Sequence, residues 1–102
     1  MNMGNLMKQA QQFQEKLGTI QEELATKMVT GTAGGGMVTA TVSGSSELIG
    51  IAIERDVINP EEAQMLQDLV VAAVNDGLHK AKELSQQEMG KLTGGLNLPG
   101  MF

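Results

Sequence analysis

The stretch MVTGTAGGGMVTATVSGSSELIGIAIE, residues 28–54, decides the fold because its apolar residues follow a period of two. Within it, the segments MVTGT, MVTATVS and LIGIAIE are rich in Val, Ile and Thr, a composition typical of β-strands. Three glycines at 34–36 separate the first two segments, and residues 43–47 separate the second from the third. Links this short join antiparallel neighbours, so the stretch predicts a three-stranded meander.

The predicted sheet has one apolar face and one face that is small and only semi-polar. In the second strand, Val38, Ala40 and Val42 alternate with Thr39 and Thr41. Successive side chains of a strand point to opposite faces, so the valines share one face and the threonines the other. The third strand repeats the alternation with isoleucines at 49, 51 and 53. A sheet of this kind would tolerate a second subunit on its less apolar face.

A long helix is predicted after the sheet, and the sequence NPEE at 59–62 marks its start. Asn59 fits an N-cap, Pro60 fits the first helical position, and the two glutamates lie at the positive end of the helix dipole. Apolar residues at helical spacing then mark one face to about residue 90.

The segment LVVAAV, residues 69–74, is apolar on all sides of this second helix. Its own sheet covers one side, so another side needs a partner chain. Folding of so small a chain buries little more than ~60% of its unfolded surface, and a partner would add materially to its stability. We therefore predict a homodimer whose interface includes Leu69, Val70, Val71 and Val74.

A polar helix of about residues 5–26, roughly 33 Å long, is predicted before the sheet, with Asn2 or Asn5 as its cap. Its few apolar residues recur in alternating steps of three and four, the rhythm of a narrow helix–helix seam. These seam positions are Met3, Leu6, Ala10, Phe13, Leu17, Ile20 and Leu24. The complete prediction is an α+β domain with the order α-β-β-β-α.

The 102 residues form one domain, predicted over residues 1–93, and the glycine-rich segment 94–102 is predicted to be a flexible tail. The chain has no cysteine, which excludes disulfides and thiolate metal sites. It also lacks a signal peptide and any apolar run that could cross a bilayer. These features predict a soluble protein that does not contact membranes.

No arrangement of residues supports catalysis. The sequence GTAGGGM lacks the Lys-Ser/Thr of a phosphate loop and has no helix behind it. His79 is the sole histidine and has no second imidazole with which to share a metal. Glu61 and Glu62 fit capping charges better than an acid/base pair. We predict no enzyme activity, no catalytic residue, no metal, no cofactor and no small-molecule substrate.

The net charge is −5, which opposes strong non-specific binding of nucleic acid. Residues 54–76 alone account for that charge, whereas residues 1–20 and 77–92 are mildly positive. Lys8, Gln12 and Lys16 recur every four residues and predict one polar stripe, away from the seam, that suits phosphate contacts. The candidate DNA-binding residues are Lys8, Gln12, Lys16, Lys80, Lys82 and Lys91. Such stripes are also common as ordinary solvated helix faces.

Five segments in order resemble the YbaB/EbfC family of bacterial nucleoid-associated proteins and cover nearly the whole chain. They are GNLMKQAQQFQEKL, GGGMVTATVSG, IAIERDVI, EEAQMLQDLVVAAVNDGLHKAKE and KLTGGLNLPGMF. The resemblance implies the α-β-β-β-α fold, a tweezer-shaped homodimer with protruding helices, and double-stranded DNA binding in the bacterial cytoplasm, at the nucleoid. It also implies roles in nucleoid organisation and gene regulation. Gly77 departs from the alanine that is usual in this family.

Two other functions fit the same residues. A dimeric protein-interaction adaptor would use the seam and the methionines near both ends of the chain to grip another protein, without direct DNA binding. A purely structural dimer would bind no ligand.

Overall fold

The computed structural model describes the backbone of residues 2–96 and the side chains of residues 2–92. Its order of elements confirms the predicted α-β-β-β-α fold, and the three strands form an antiparallel sheet in the order β1-β2-β3. The elements are α1 (Met3–Thr26), β1 (Met28–Ala33), β2 (Val38–Ser43), β3 (Leu48–Ile53) and α2 (Ala63–Leu96). Short 3₁₀ turns lie at Gly34–Gly36, Arg55–Val57 and Pro60–Glu62.

The turn between β1 and β2 depends on glycine. Gly34, Gly35 and Gly36 have φ angles of 63°, 67° and 97°, a region in which a side chain is strained. The turn between β2 and β3 is held by the Ser43 amide, which donates to the Glu47 carbonyl oxygen at 2.8 Å. Both predicted links are therefore tight turns, and the meander follows from them.

The core lies between α2 and the apolar face of β2. Val38, Ala40 and Val42 are fully buried, as is Ala73 on the facing side of α2. Burial of a valine side chain stabilises the fold by about 1.5–3 kcal/mol relative to exposure. The predicted apolar face is thus the face on which the helix packs.

The helix approaches β1 at backbone distance, where Gly31 faces Gly77. A Cβ atom added to Gly31 would overlap the Gly77 nitrogen and the Ala73 carbonyl oxygen. A Cβ atom added to Gly77 would lie 2.8 Å from the Val42 Cγ2. The two glycines allow the helix and the strand to approach this closely. An alanine at position 77 would press against Val42, so glycine is the residue that fits here.

Helix α2 packs on β1 and β2 and leaves much of β3 open. A helix is about 10 Å wide and strands are about 4.8 Å apart, so one helix covers roughly two strands. Ile51 pairs with the buried Ala40 and therefore lies on the helix-covered face, yet 41% of it is exposed. The third strand thus extends the apolar face beyond the reach of its own helix.

The predicted asparagines cap helix α1 and the 3₁₀ turn that leads into α2. The Asn2 side chain accepts from the Gly4 amide at 2.9 Å, and the Asn59 side chain accepts from the Glu61 amide at 3.0 Å. Residues Pro60–Glu62 form a 3₁₀ turn, and regular α-helix starts only at Ala63. A tighter first turn of this kind is common at helix N-termini.

Helix α2 ends later than predicted. It continues through Gly94 and Gly95 to Leu96, although each glycine costs about 1 kcal/mol relative to alanine in a helix interior. The described helix thus passes the predicted boundary between residues 93 and 94, and that boundary stays a prediction. The rest of the predicted flexible tail, residues 97–102, lies outside the described residues.

The chain is elongated, with principal extents of 70 × 25 × 16 Å. Its radius of gyration is 19.5 Å, whereas a compact domain of this length has a value of about 13 Å. The excess comes from two helices that project from the sheet along the same direction.

Candidate nucleic-acid interface

The two helices run antiparallel and meet only over part of their lengths. Leu24, near the end of α1, is buried and lines a small cavity with Ser85 and Met89 of α2. Further from the sheet, Ile20 and Leu92 line a second cleft between the helices. Because both helices rise about 1.5 Å per residue, Leu96 lies level with about residue 16 of α1.

We call residues 3–14 of α1 the arm. All of these residues except the half-buried Phe13 are exposed, and among the residues described none of α2 lies across from them. Lys8 and Gln12 are both exposed on the arm, and Lys8 has no ion-pair partner within the described chain. The arm therefore presents an unpaired cation and a free amide to solvent.

Lys16 lies apart from Lys8 because it lines the cleft between the helices. That cleft has a volume of about 570 Å³, and its charged lining consists of Glu15, Lys16, Glu23, Glu88 and Lys91. The predicted stripe of Lys8, Gln12 and Lys16 thus drifts around the helix. Four-residue steps exceed one helical turn of 3.6 residues, so a stripe at this spacing rotates by about 40° per step.

Glu88 occupies the centre of an ion-pair group in this region. Its carboxylate lies 3.2 Å from the Lys27 Nζ and 3.3 Å from the Lys91 Nζ. Hydrogen bonds from Lys27 and then Lys91 hold the pKa of Glu88 below its ordinary value. Lys91 is therefore already partnered, although its side chain is still 74% exposed.

Lys80 is also partnered, and its contacts join α2 to the edge of β1. The Lys80 Nζ lies 3.2 Å from the Asp76 carboxylate and donates to the Thr30 carbonyl oxygen at 3.2 Å. The Asp76 carboxylate accepts from the Thr32 amide at 3.0 Å. This backbone hydrogen bond, followed by the one from Lys80, lowers the pKa of Asp76.

The six candidate residues do not form one cluster. Lys16 and Lys91 share the cleft, Lys8 and Gln12 lie on the arm, and Lys80 lies over β1. Lys82 is exposed and, like Lys8, forms no ion pair with any described residue. Sequence reasoning missed Lys27, whose partner Glu88 is 61 positions away and gives no local signal.

The predicted dimer residues divide between the two sides of α2. Leu69, Val70 and Val74 pack against the buried core of the same chain, whereas Val71 is 59% exposed. Sequence reasoning missed that apolar side chains of β3 stay exposed on the face on which the helix packs. Exposed apolar side chains in this part of the described chain include Leu48, Ile49 and Ile51 of β3, and also Ile58, Met65 and Val71. The sequence did contain a signal for this exposure: one helix can cover only about two strands, so part of a three-stranded sheet stays uncovered.

Other features of the described chain suggest no further chemistry. His79 forms an exposed pair with Glu83 at 3.0 Å, and residues 2–92 contain no group of three potential metal ligands. Within the described helices, no segment combines the length and the apolar content that a membrane crossing requires.

A model of the YbaB/EbfC DNA-binding family matches residues 1–96. The chain belongs to this family. A nucleoid-associated protein of Desulfotalea psychrophila is 56% identical to it over 101 residues, which cover 99% of this chain and 95% of the relative. A nucleoid-associated protein of Syntrophobacter fumaroxidans is 53% identical over 97 residues, which cover 95% and 88%. The predicted family is thus confirmed, and it is a nucleoid-associated, DNA-binding family of bacteria rather than an enzyme family.

A solved structure shares the fold. The crystal structure of an uncharacterised Helicobacter pylori protein matches with a TM-score of 0.82 and 22% identity, covering 92% of this chain and 99% of that one. At this identity the likeness shows the YbaB/EbfC fold alone.

Proposed function

We propose that the chain is a non-enzymatic nucleoid-associated protein whose homodimer binds duplex DNA weakly through its projecting helices. The observation that carries this proposal is the exposed, unpaired Lys8 on an arm that projects beyond α2, in a member of a DNA-binding family. Lysines on projecting helices can neutralise phosphates without sequence preference. The names of the relatives support a place at the nucleoid of the bacterial cytoplasm.

The homodimer is proposed from the open apolar surface around β3. Ile51 lies on the same face as the buried core, and it is 41% exposed; Val71 of α2 is 59% exposed. Several exposed apolar side chains on one strand are typical of an interaction site. A second copy that covers β3 would bury it and give the assembly two arms.

The distribution of charge supports binding despite the net charge of −5. The acidic residues of 54–76 lie at the sheet and at the start of α2, whereas the arm lies at the opposite end of the helix pair. At physiological salt the Debye length is about 8 Å, so acidic groups this distant repel a duplex at the arm only weakly.

The test is a salt titration of binding to unrelated duplexes with two charge-matched variants. Lys8→Gln with Lys16→Gln removes lysines that form no ion pair in the described chain, whereas Lys80→Gln with Lys91→Gln removes partnered ones. We expect the first variant to weaken binding about tenfold and to lower the salt slope by up to 3 or 4, roughly 0.9 per phosphate contact in a dimer. The second should bind almost as the parent does.

The outcome separates the assignments. Equal binding by the parent and the Lys8→Gln, Lys16→Gln variant at low salt would show that this helix is only a solvated face. Equal losses in both variants would mean that the arm has no special role. Light scattering on each variant checks that the dimer is retained.

One observation favours the adaptor as a second candidate function. Met3, Leu6 and Met7 are 73%, 47% and 62% exposed on the arm, a large apolar surface for a helix that only contacts phosphates. A parent protein that binds no duplex at low salt but retains a partner protein from lysate would favour the adaptor.

A further inference from the structure

We propose that the arm is a self-association surface, on which the arm of one copy packs antiparallel against the arm of a second copy. The contact uses seam positions Met3, Leu6, Ala10 and Phe13 and joins dimers to one another. This inference depends on the proposed dimer in one respect: the smallest species in solution is then a dimer. The contact between arms does not require DNA.

The seam of α1 is occupied at one end and open at the other. Leu24 is buried and Ile20 is half-buried against α2, whereas Met3 and Leu6 are 73% and 47% exposed. The same heptad spacing runs through both halves without a break. The described part of α2 reaches the level of about residue 16, so no described residue of α2 lies across from the outer half.

The arm is suited to a helix of its own kind. A seam with apolar residues in alternating steps of three and four is complementary to another seam with that spacing. Lys8 is the single charged side chain among residues 2–14, so two arms approach with little repulsion. An acidic or basic partner helix would find no matching charges along this seam.

Antiparallel pairing fits the shape of the chain. The sheet and the rest of α2 lie to one side of the arm, and an antiparallel partner places its own sheet at the far end. Lys8 lies about half a turn from the seam, on the opposite side of the helix from Leu6 and Ala10. Arm pairing therefore leaves Lys8 free for phosphate contacts.

The main experiment measures mass against protein concentration, from micromolar to near-millimolar, without DNA. The parent should grow reversibly beyond its smallest species. Leu6→Gln keeps helix propensity but removes a seam side chain, and it should raise the dissociation constant of the larger species by about tenfold or more. Met7→Gln is the matched control, because Met7 is also exposed but is not one of the seam positions.

Cross-linking gives an independent measurement, since the chain contains no cysteine. Ala10→Cys places one thiol on the seam, and Gln11→Cys places one on the outer side of the same turn. With a short bis-maleimide, the first variant should form a covalent pair of chains and the second should not exceed background.

Three results would overturn the proposal. One is a parent whose mass does not change over the concentration range. Another is a Met7→Gln effect as large as that of Leu6→Gln, which indicates unspecific apolar adhesion. The third is a Leu6→Gln variant with the parent's association but weaker DNA binding, which would place the seam on DNA. If the smallest species has the mass of one chain, the β3 dimer is rejected. Arm pairing is then judged in the same data by growth from one chain to two.

Discussion

The two edge strands of the sheet, β1 and β3, differ in how far α2 covers them. At the β1 side, α2 lies directly on the strand at Gly31, and its Asp76 and Lys80 bind the free backbone groups of Thr32 and Thr30. At the β3 side, apolar side chains are exposed and α2 does not reach them.

The difference shows that backbone groups of the β1 edge are occupied by side chains of α2, whereas the β3 edge is left uncovered by the described helix. Unpaired N–H and C=O groups on an edge strand are a template for unwanted pairing. The Asp76–Lys80 pair occupies such groups on β1 with one acceptor and one donor. The β3 side instead has exposed apolar side chains, which the second copy would cover in the proposed dimer.

The largest expected effect is on stability and comes from a substitution in β1. Gly31→Ala should destabilise the protein by more than about 3 kcal/mol, because the new Cβ meets backbone atoms of α2 that cannot repack. For a chain of this size, that loss lowers the midpoint of thermal unfolding by more than about 12 °C. The control is Gly50→Ala in β3, where no atom lies within 4 Å of the added Cβ. A Gly31→Ala protein as stable as the control would contradict the described approach.

The next effect tests the β3 side. Ile51→Lys should weaken the dimer by about 2–3 kcal/mol, because each interface would then contain buried, unpaired ammonium groups. Light scattering and circular dichroism should show a folded protein of lower mass. Ala52→Lys is the control on the opposite face of the same strand. If Ala52→Lys dissociates the dimer and Ile51→Lys does not, the interface lies on the threonine face.

A smaller effect tests the protection of the β1 edge. Asp76→Ala should speed hydrogen exchange of the Thr32 amide, since that amide loses its acceptor. Asp68→Ala removes the same charge from the same helix, but the hydrogen-bond partner of Asp68 is Gln64, not a strand. Unchanged exchange at Thr32 would mean that the Asp76 contact does not protect this edge.

The smallest effect concerns pH. The pKa values of Asp76 and Glu88 are lowered in the folded state, so their contribution to stability is present above the unfolded pKa and is lost as the pH falls through the folded pKa. Denaturation at fixed protein concentration should show stability falling below about pH 4.5. The double variant Asp76→Asn, Glu88→Gln should fall less steeply. An identical slope would show that other carboxylates control acid stability.

The strands, their order and their buried face could be predicted because alternation and short glycine-rich turns are local signals. The coverage of that face could not be read from alternation, since it depends on where α2 crosses the sheet. Val74 and Ile51 illustrate this: the first was expected at a dimer interface and packs on its own core, while the second was not selected and is exposed.

The candidate site was less predictable than the fold for the same reason. Lys80 and Lys8 look alike in the sequence, but Lys80 reaches the Thr30 carbonyl oxygen 50 positions away and Lys8 reaches no described partner. Such long-range pairs leave no periodic signal. The end of α2 was missed because two consecutive glycines in the sequence indicate a stop, and the helix passes through them.

At the contact between Gly31 and Gly77 the helix lies directly on the strand, so any change of the helix angle at this point would be amplified along α2. Beyond Gly77, the rigid rod of α2 continues for 19 residues, a lever of about 28 Å. A rotation of about 10° at the glycine pair would move Leu96 by about 5 Å, and α1 would move with it through the Lys27–Glu88 ion pair and the buried Leu24. In the proposed dimer, the gap between the two arms would therefore depend on the angle of the helix at the sheet.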